Sequence, residues 1–118
     1  MGFSVKEHLE KIPVFFDPDK YTGRKLVLIY KINRSGENDG VWTVRIQNGT
    51  CVLEEGESSD FTGRMLMTAE VYERIVTGKM DHDLAYWIGA VLYAGSMLNF
   101  QELQTFLTIP ENSGIIAL

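Results

Sequence analysis

Cysteine and histidine are scarce in this sequence, which has one cysteine and two histidines among 118 residues. A single cysteine cannot form an intramolecular disulfide, and zinc sites usually need three or four converging ligands. Neither a metal nor another cofactor is therefore expected. The sequence also lacks a glycine-rich phosphate loop, a nucleophile elbow and a His-Glu-x-x-His pattern. Together these absences indicate a protein that is not an enzyme.

The remaining residues that could carry chemistry have plainer interpretations. We interpret Cys51 as a small buried hydrophobic residue in a strand, because no histidine lies near it in the sequence. His82 stands between Asp81 and Asp83, a pattern that could indicate a metal ligand or a general base. The favoured interpretation is a helix start, with one aspartate as the cap and the other in the first turn.

Basic residues are also few, and they are unevenly placed. The net charge of −5 argues against nucleic-acid binding, because a nucleic-acid binder needs a basic surface to neutralise phosphates. Residues 1–50 contain eight Lys and Arg against six Asp and Glu, whereas residues 51–118 contain three against ten. From Leu84 to the end there is no Lys or Arg. We expect that last region to be buried or paired with a partner.

No apolar run is long enough to span a membrane. The apolar stretch at residues 84–98 carries no charge, but it is shorter than the roughly 17–25 mostly apolar residues of a spanning helix and is interrupted by glycines. It favours a buried helix followed by a buried strand. Residues 1–8 show no apolar run of the signal-peptide type, so the cytoplasm is the expected location.

The length and composition predict one domain spanning residues 1–118, with an N-terminal helix within 1–13 and a C-terminal tail at 109–118. Periodicity and turn residues predict the helices and strands. The expected strands are 26–32, 41–47, 50–53, 60–67 and 90–94, and the expected helices are 4–11, 69–77, 81–88 and 96–108. Pro13 is expected to end the first helix, and Asn48-Gly49 is expected to make a two-residue hairpin turn. Strands followed by helices indicate the α+β class, with the helices on one face of a mainly antiparallel sheet.

The order of several short motifs resembles the sterol carrier protein 2 family over about residues 26–107. The motifs are Trp42-x-Val44-x-Ile46, Asn48-Gly49, Glu55-Gly56 with Asp60, Val76-Thr77-Gly78-Lys79-Met80-Asp81, and then Ala85, Gly89, Leu92 and Gly95 before the last helix. The resemblance implies a five-stranded sheet with helices over one face and a hydrophobic tunnel between them. It also implies binding of sterols, fatty acids, acyl-CoAs or other lipids, without chemistry.

Two apolar surfaces are expected to form the walls of such a tunnel, one on the second strand and one on the last helix. A cavity of roughly 300–1,000 Å³ is expected between them, as is usual for ligand sites. The candidate ligand-binding residues are Trp42, Val44, Ile46, Met65, Trp87, Leu92, Phe100, Leu103, Phe106 and Leu107. The methionines among the core segments suit either an adaptable cavity or an ordinary core.

Two departures from the family pattern matter. The family's last strand usually alternates Lys with apolar residues, whereas residues 90–94 have no charge. The chain also lacks the peroxisomal signal of the eukaryotic carriers, which points to a bacterial or archaeal relative. The uncharged strand suggests a homodimer, unless the tail at 109–118 folds back to cover it. The alternative to a lipid-binding module is therefore an interaction domain with a collapsed cavity that supports a partner enzyme.

Overall fold

The computed structural model describes residues 4–33 and 40–115. Within these ranges five strands form one sheet in the order β3-β2-β1-β4-β5. Their bounds are β1 Leu26–Asn33, β2 Gly40–Gln47, β3 Thr50–Glu55, β4 Gly63–Thr68 and β5 Leu92–Gly95. Neighbouring strands run antiparallel, except that β1 and β4 are parallel. The prediction of an α+β fold with a five-stranded, mainly antiparallel sheet is confirmed.

Short helices precede and follow the strands. The α-helices in the described ranges are α1 Val5–Leu9, α2 Lys11–Phe15, α3 Ala69–Val76, α4 His82–Trp87 and α5 Leu98–Thr105, and 3-10 turns occur at Pro18–Lys20 and Glu111–Ser113. The predicted side-chain caps of α3 and α4 are confirmed, since Thr68 accepts from the Val71 amide and Asp81 accepts from the Leu84 amide. No helix in the described part of the chain is long and apolar enough to cross a membrane.

The hairpin between β2 and β3 forms at the predicted dipeptide. Asn48 and Gly49 both adopt positive φ, at 54° and 77°, and Gln47 pairs with Thr50 across the turn. Positive φ at both central positions gives a turn whose twist matches that of the strands. This turn sets the register of β2 against β3.

All the helices contribute to a core on one face of the sheet. Alternate residues of β1, β2 and β4 point to that face, because side chains alternate along a strand. The buried members of the core are Val5, Leu9, Ile12, Leu26, Leu28, Tyr30, Ile32, Trp42, Val44, Ile46, Met65, Met67, Ala69, Tyr72, Ile75, Val76, Ala85, Val91, Phe100, Leu103, Phe106 and Leu107.

The connection between β3 and β4, residues 56–62, is anchored to the other face of the sheet. The Thr43 hydroxyl donates to the Gly56 carbonyl at 2.7 Å, and the Thr62 amide donates to the Val27 carbonyl at 2.8 Å. The Arg45 guanidinium, also on this face, hydrogen-bonds the side chains of Glu54, Ser58 and Asp60. This cover accounts for the complete burial of Val27 and Ile29, and it explains why β1 is apolar on both faces.

Three predicted boundaries are wrong. Pro13 does not end the first helix but lies in the first turn of α2. The first N–H groups of a helix have no intrahelical partner, so a proline, which lacks an N–H, is tolerated there. The strand predicted at 60–67 begins only at Gly63, because the preceding residues belong to the connection across the outer face. The last helix begins at Leu98, later than expected, although the Ser96 hydroxyl accepts from the Leu98 amide at 3.2 Å as predicted for a capping residue.

The predicted burial of the 84–98 region is also wrong. Leu84, Trp87 and Ile88 are 52%, 81% and 61% exposed, and within α4 only Ala85 is buried. The predicted strand at 90–94 is shifted to β5, a four-residue edge strand whose Leu92 is 56% exposed. Lack of charge alone does not require burial, since apolar atoms make up much of a protein surface.

Candidate ligand-binding cavity

A cavity of about 230 Å³ lies between the sheet and three helices, on the β1–β4 side of the core. Its floor is formed by β1 and β4, and its walls are formed by α3, α5 and the first turn of α4. The lining residues are Tyr30, Met65, Met67, Tyr72, Ile75, His82, Asp83, Phe100, Gln101 and Gln104.

Strand register explains how the floor is assembled. Tyr30 pairs with Met65 between the parallel strands β1 and β4, and Ile32 pairs with Met67 two residues further along. Residues paired across neighbouring strands point to the same face, so the two methionines lie beside Tyr30 on the helix side. Both methionines are buried, and their unbranched side chains adapt to an irregular space.

The inner part of the cavity is aromatic and apolar. The Tyr30 ring meets Phe100 of α5 nearly perpendicularly, with ring centroids 5.4 Å apart, and meets Tyr72 of α3 at 6.4 Å. Edge-to-face contacts of this kind hold aromatic rings in defined orientations. Ile75, one turn after Tyr72, completes the wall from α3. The cavity is therefore bounded by rings and side chains with fixed positions.

Tyr30 itself is fully buried, and no described residue forms a hydrogen bond with its hydroxyl. Burial raises the pKa of Tyr30 well above its ordinary value, and Tyr93 and Cys51 add to the effect. The phenol is therefore neutral at every physiological pH. Its O–H donor and two acceptor lone pairs are enclosed by the core and are not open to the cavity.

Polar side chains surround the opening of the cavity. Asp83 and Gln101 are exposed, whereas His82 and Gln104 are half-buried. His82 begins α4, and its Nε2 forms a hydrogen bond with the Tyr93 hydroxyl of β5. Burial lowers the pKa of His82, against the opposing effect of Asp83 and Asp81. The opening thus combines a neutral imidazole and two amides with one carboxylate.

The predicted site residues divide into three groups. Met65 and Phe100 line the cavity. Trp87 and Leu92 are exposed, and they are not among its lining residues. The other predicted site residues are buried in the core without lining this cavity, namely Trp42, Val44, Ile46, Leu103, Phe106 and Leu107.

This cavity therefore lies beside β4 and not at the expected position between the β2 face and the 100–107 helix, and which residues bind a ligand stays a prediction. Val5, Leu9 and Ile12 of α1 and α2 belong to the same core, and α2 packs against β3. The two N-terminal helices thus fill the β2 side of the core, and the unfilled space lies beside β4. At about 230 Å³ the cavity is also smaller than expected.

Several lining residues were not among the predicted site residues, namely Tyr30, Met67, Tyr72, Ile75, His82, Asp83, Gln101 and Gln104. Some signals for them were present in the sequence. Tyr72 and Ile75 lie on the inner stripe predicted for α3, and the two glutamines follow Phe100 by one and four residues on α5. His82 was interpreted as a helix start, which is correct, but the same position also brings it to the opening.

Neither a metal site nor an activated cysteine is found in the described ranges. No group of three or more His, Cys, Asp or Glu side chains there could hold a metal ion. Burial raises the pKa of the Cys51 thiol to about 12, so the thiol stays protonated. The half-buried Cys51 packs against the core from β3, which agrees with its interpretation as a small hydrophobic residue.

Comparison with known proteins gives matches among solved structures alone. No protein-family model and no curated protein sequence matches the chain. The sec-alkylsulfatase Pisa1 from Pseudomonas sp. matches with a TM-score of 0.71 and 17% identity, over 91% of this chain and 17% of the enzyme. A double mutant of that enzyme matches with a TM-score of 0.80 and 16% identity, over 92% and 17% of the two chains.

Two sterol carrier proteins match over more of their own length. Sterol carrier protein-2 like-3 from Aedes aegypti has a TM-score of 0.61 and 15% identity, over 86% of this chain and 94% of that one. Sterol carrier protein 2 from Yarrowia lipolytica has a TM-score of 0.58 and 12% identity, over 70% of each chain. The fold of this chain is therefore that of sterol carrier protein 2, as the motifs suggested, and at these identities the likeness shows the fold alone.

Proposed function

We propose that this chain binds one small apolar or amphiphilic molecule in the cavity beside β4 and does not change it chemically. The observation that carries the proposal is the combination of a buried apolar interior with a polar opening in a single cavity of about 230 Å³. Ligand sites are typically apolar pockets with a few placed polar groups. The apolar part of the ligand would occupy the space between Tyr30, Ile75 and Phe100, and its remainder would meet the polar opening.

The cavity volume indicates the size of the bound part. An enclosed apolar cavity of about 150 Å³ accepts benzene, so a cavity of this size would accept roughly nine non-hydrogen atoms. Medium-chain molecules suit that volume. A whole sterol or a phospholipid exceeds it and would have to leave most of its body outside.

Names of the structural neighbours support the same proposal at a coarser level. Two of them are sterol carrier proteins, and another is described as a ubiquinone synthesis protein of the UbiJ-SCP2 type. These names are consistent with binding or carrying of apolar molecules. We extend that role to this chain, and we also keep the cytoplasm of a bacterium or archaeon as its proposed location.

A pair of neighbouring substitutions tests the proposed site. Met67 points into the cavity, whereas Leu66 lies next to it in β4 on the opposite face of the sheet. Binding of 1-octanol, measured by titration calorimetry, should be lost in Met67→Trp because the larger ring fills the cavity. It should be retained in Leu66→Trp, and circular dichroism would establish that both variants fold. Absence of 1-octanol binding by the unaltered protein, or equal binding by both variants, would contradict the proposal.

A second candidate function is that of an interaction domain beside an enzyme. The observation that favours it is the exposed apolar face of α4, formed by Leu84, Trp87 and Ile88. Apolar patches of this kind usually mark contact sites. The likeness to 17% of the length of Pisa1 adds support, because that comparison is with a small part of a longer enzyme. If the chain acts as an interaction domain, Met67→Trp should still bind the partner enzyme, whereas Trp87→Lys should not. That result would separate this role from ligand binding.

A further inference from the structure

The charge at the opening of the cavity is negative. Among the described residues that line the cavity, Asp83 alone carries a charge at neutral pH, and it is exposed in the first turn of α4. Its carboxylate acts on its neighbours, since burial raises the pKa of Tyr93 and Asp83 raises it further. Asp83 and Asp81 also oppose the lowering of the pKa of His82 by burial. Negative charge has both effects, because it disfavours a phenolate and favours an imidazolium.

Basic residues stand close to the lining residues in the sequence, but they do not line the cavity. Lys31 and Arg64 are neighbours of lining residues in β1 and β4, and they lie on the opposite face of the sheet because side chains alternate along a strand. Arg74 and Lys79 are exposed and are not among the lining residues. From Leu84 onward the sequence contains no Lys or Arg, so α5 brings none to the opening.

The other polar groups of the opening do not distinguish a cation from an anion. The exposed Gln101 has an amide, which can accept or donate a hydrogen bond. The imidazole of His82 is neutral near neutral pH, and its Nε2 already forms a hydrogen bond with the Tyr93 hydroxyl. Asp83 therefore decides between the two charges. A carboxylate or phosphate would lose hydration without gaining a cation, whereas an ammonium group would gain a charge-assisted hydrogen bond to a carboxylate.

We infer that the preferred ligand is an amphiphile whose apolar part is enclosed in the cavity and whose polar end is a protonated amine placed against Asp83. This inference rests on the proposed function and narrows its ligand class to medium-chain amines. Free fatty acids and acyl-CoAs are disfavoured by the same carboxylate. Because Asp83 is exposed, the preference is moderate, and one exposed ion pair changes an affinity about two- to fivefold.

Three probes with the same eight-carbon chain test the inference by titration calorimetry at pH 7 and low salt. At this pH 1-octylamine is a cation, 1-octanol is neutral and octanoate is an anion. The unaltered protein should bind 1-octylamine more tightly than octanoate. Asp83→Asn should lower the ratio of the 1-octylamine affinity to the 1-octanol affinity about two- to fivefold, and Asp83→Lys should make octanoate bind more tightly than 1-octylamine. The ratio cancels any general change in the cavity that a substitution causes.

Asp19→Asn is the matched control. Asp19 is exposed in the turn Pro18–Lys20 and is not among the lining residues, and its substitution changes the net charge by the same amount. It should leave the ratio unchanged. Met67→Trp should abolish 1-octylamine binding together with 1-octanol binding, because the larger ring fills the cavity.

Three results would overturn the inference while 1-octanol binding leaves the proposed function in place. One is tighter binding of octanoate than of 1-octylamine by the unaltered protein. Another is an equal change of the affinity ratio in Asp83→Asn and Asp19→Asn, which would assign the preference to net charge alone. The third is retention of 1-octylamine binding by Met67→Trp after 1-octanol binding is lost, which would place the amine outside the cavity. Failure of 1-octanol and 1-octylamine alike to bind the unaltered protein would instead contradict the proposed function.

Discussion

The Tyr72 hydroxyl of α3 lies 3.0 Å from Nδ1 of His8 in α1, and both side chains are buried. Their rings also meet edge to face, with centroids 5.4 Å apart. This contact joins the N-terminal helix to a helix more than sixty residues later in the sequence. It also holds the Tyr72 ring in place as one wall of the cavity.

Two tyrosine-to-phenylalanine substitutions should change the free energy of unfolding in opposite directions. Tyr72→Phe removes the hydrogen bond to His8 and should lower stability by about 1–3 kcal/mol. Tyr30→Phe removes a buried hydroxyl for which no described residue is a partner, so the ligand-free protein should become about 1 kcal/mol more stable. Urea unfolding of both variants measures the difference. Equal destabilisation by the two substitutions would show that Tyr30 has a partner within the protein.

The buried His8 should make stability depend on pH in a defined window. Burial, assisted by Lys11, lowers the pKa of His8 to about 4 from its ordinary value of 6.5. Between these values the unfolded chain binds a proton that the folded protein does not, so stability should rise with pH. Its contribution should be complete above pH 6.5 and lost as the pH falls toward 4. The slope from this group should not exceed about 1.4 kcal/mol per pH unit.

Comparison of two histidine variants isolates this effect from the titration of carboxylates. Urea unfolding between pH 4 and 7 should show a shallower pH dependence for His8→Gln than for the unaltered protein. His82→Gln should keep the pH dependence of stability that His8 causes, although burial lowers the pKa of His82 as well. Parallel curves for His8→Gln and the unaltered protein would contradict the lowered pKa of His8.

Local signals in the sequence predicted the sheet better than they predicted the cavity. Asn48-Gly49 determined the hairpin, and the caps at Thr68 and Asp81 determined the starts of α3 and α4, because each depends on a few adjacent residues. Alternation along β2 correctly placed Trp42 on the helix side. It could not show that α1 and α2 would fill that side of the core, because this depends on how distant segments pack.

The same reasoning failed for α4. Leu84, Trp87 and Ile88 recur at helical spacing, which ordinarily indicates the buried stripe of a helix. In the structure Ala85 faces the core, while these three larger residues face outward. A periodic pattern identifies a face of the helix, but it does not identify what covers that face. The polar lining residues, such as Gln101, were missed because an apolar pattern carries no information about them.

Gly89, which precedes β5, and Gly95, the last residue of β5, should differ in their tolerance of alanine. Gly89 and Gly95 adopt nearly the same positive φ, 78° and 77°, which is strained for any residue with a Cβ. A Cβ on Gly95 would lie 2.8 Å from the Thr62 carbonyl oxygen, whereas one on Gly89 would meet no atom within 4 Å. Gly89→Ala should therefore cost about 1–2 kcal/mol of stability from backbone strain alone.

Gly95→Ala should cost more than Gly89→Ala, because it also pushes β5 away from β4. The difference should be visible in thermal unfolding, and it should be accompanied by weaker 1-octanol binding, since Met65 of β4 pairs with Tyr93 of β5 beside the cavity. If the two variants unfold at the same temperature, backbone strain is the whole cost and the contact with Thr62 is unimportant.

The exposed apolar side chains of α4 and β5 lead to the last prediction, which concerns oligomeric state. Leu92 pairs with Leu66 and is exposed on the outer face of the edge strand β5, whereas the adjacent Val91 is buried. Ile109 and Ile115 of the proposed covering tail pack against the core, while residues 116–118 lie outside the described residues. We therefore predict a two-fold homodimer through the region of Leu92 and Trp87.

Light scattering coupled to size-exclusion chromatography should show a dimer at micromolar concentration that Leu92→Lys or Trp87→Lys converts to a monomer. Val52→Lys is the matched control, because Val52 is an exposed apolar residue on β3, the opposite edge strand. It should leave the dimer intact. Each copy carries a net charge of −5, so the two copies repel one another and added salt should strengthen the dimer by screening that repulsion. A monomeric unaltered protein would contradict the prediction of a dimer. A dimer that added salt weakens would show that the two copies are held together by charged groups elsewhere.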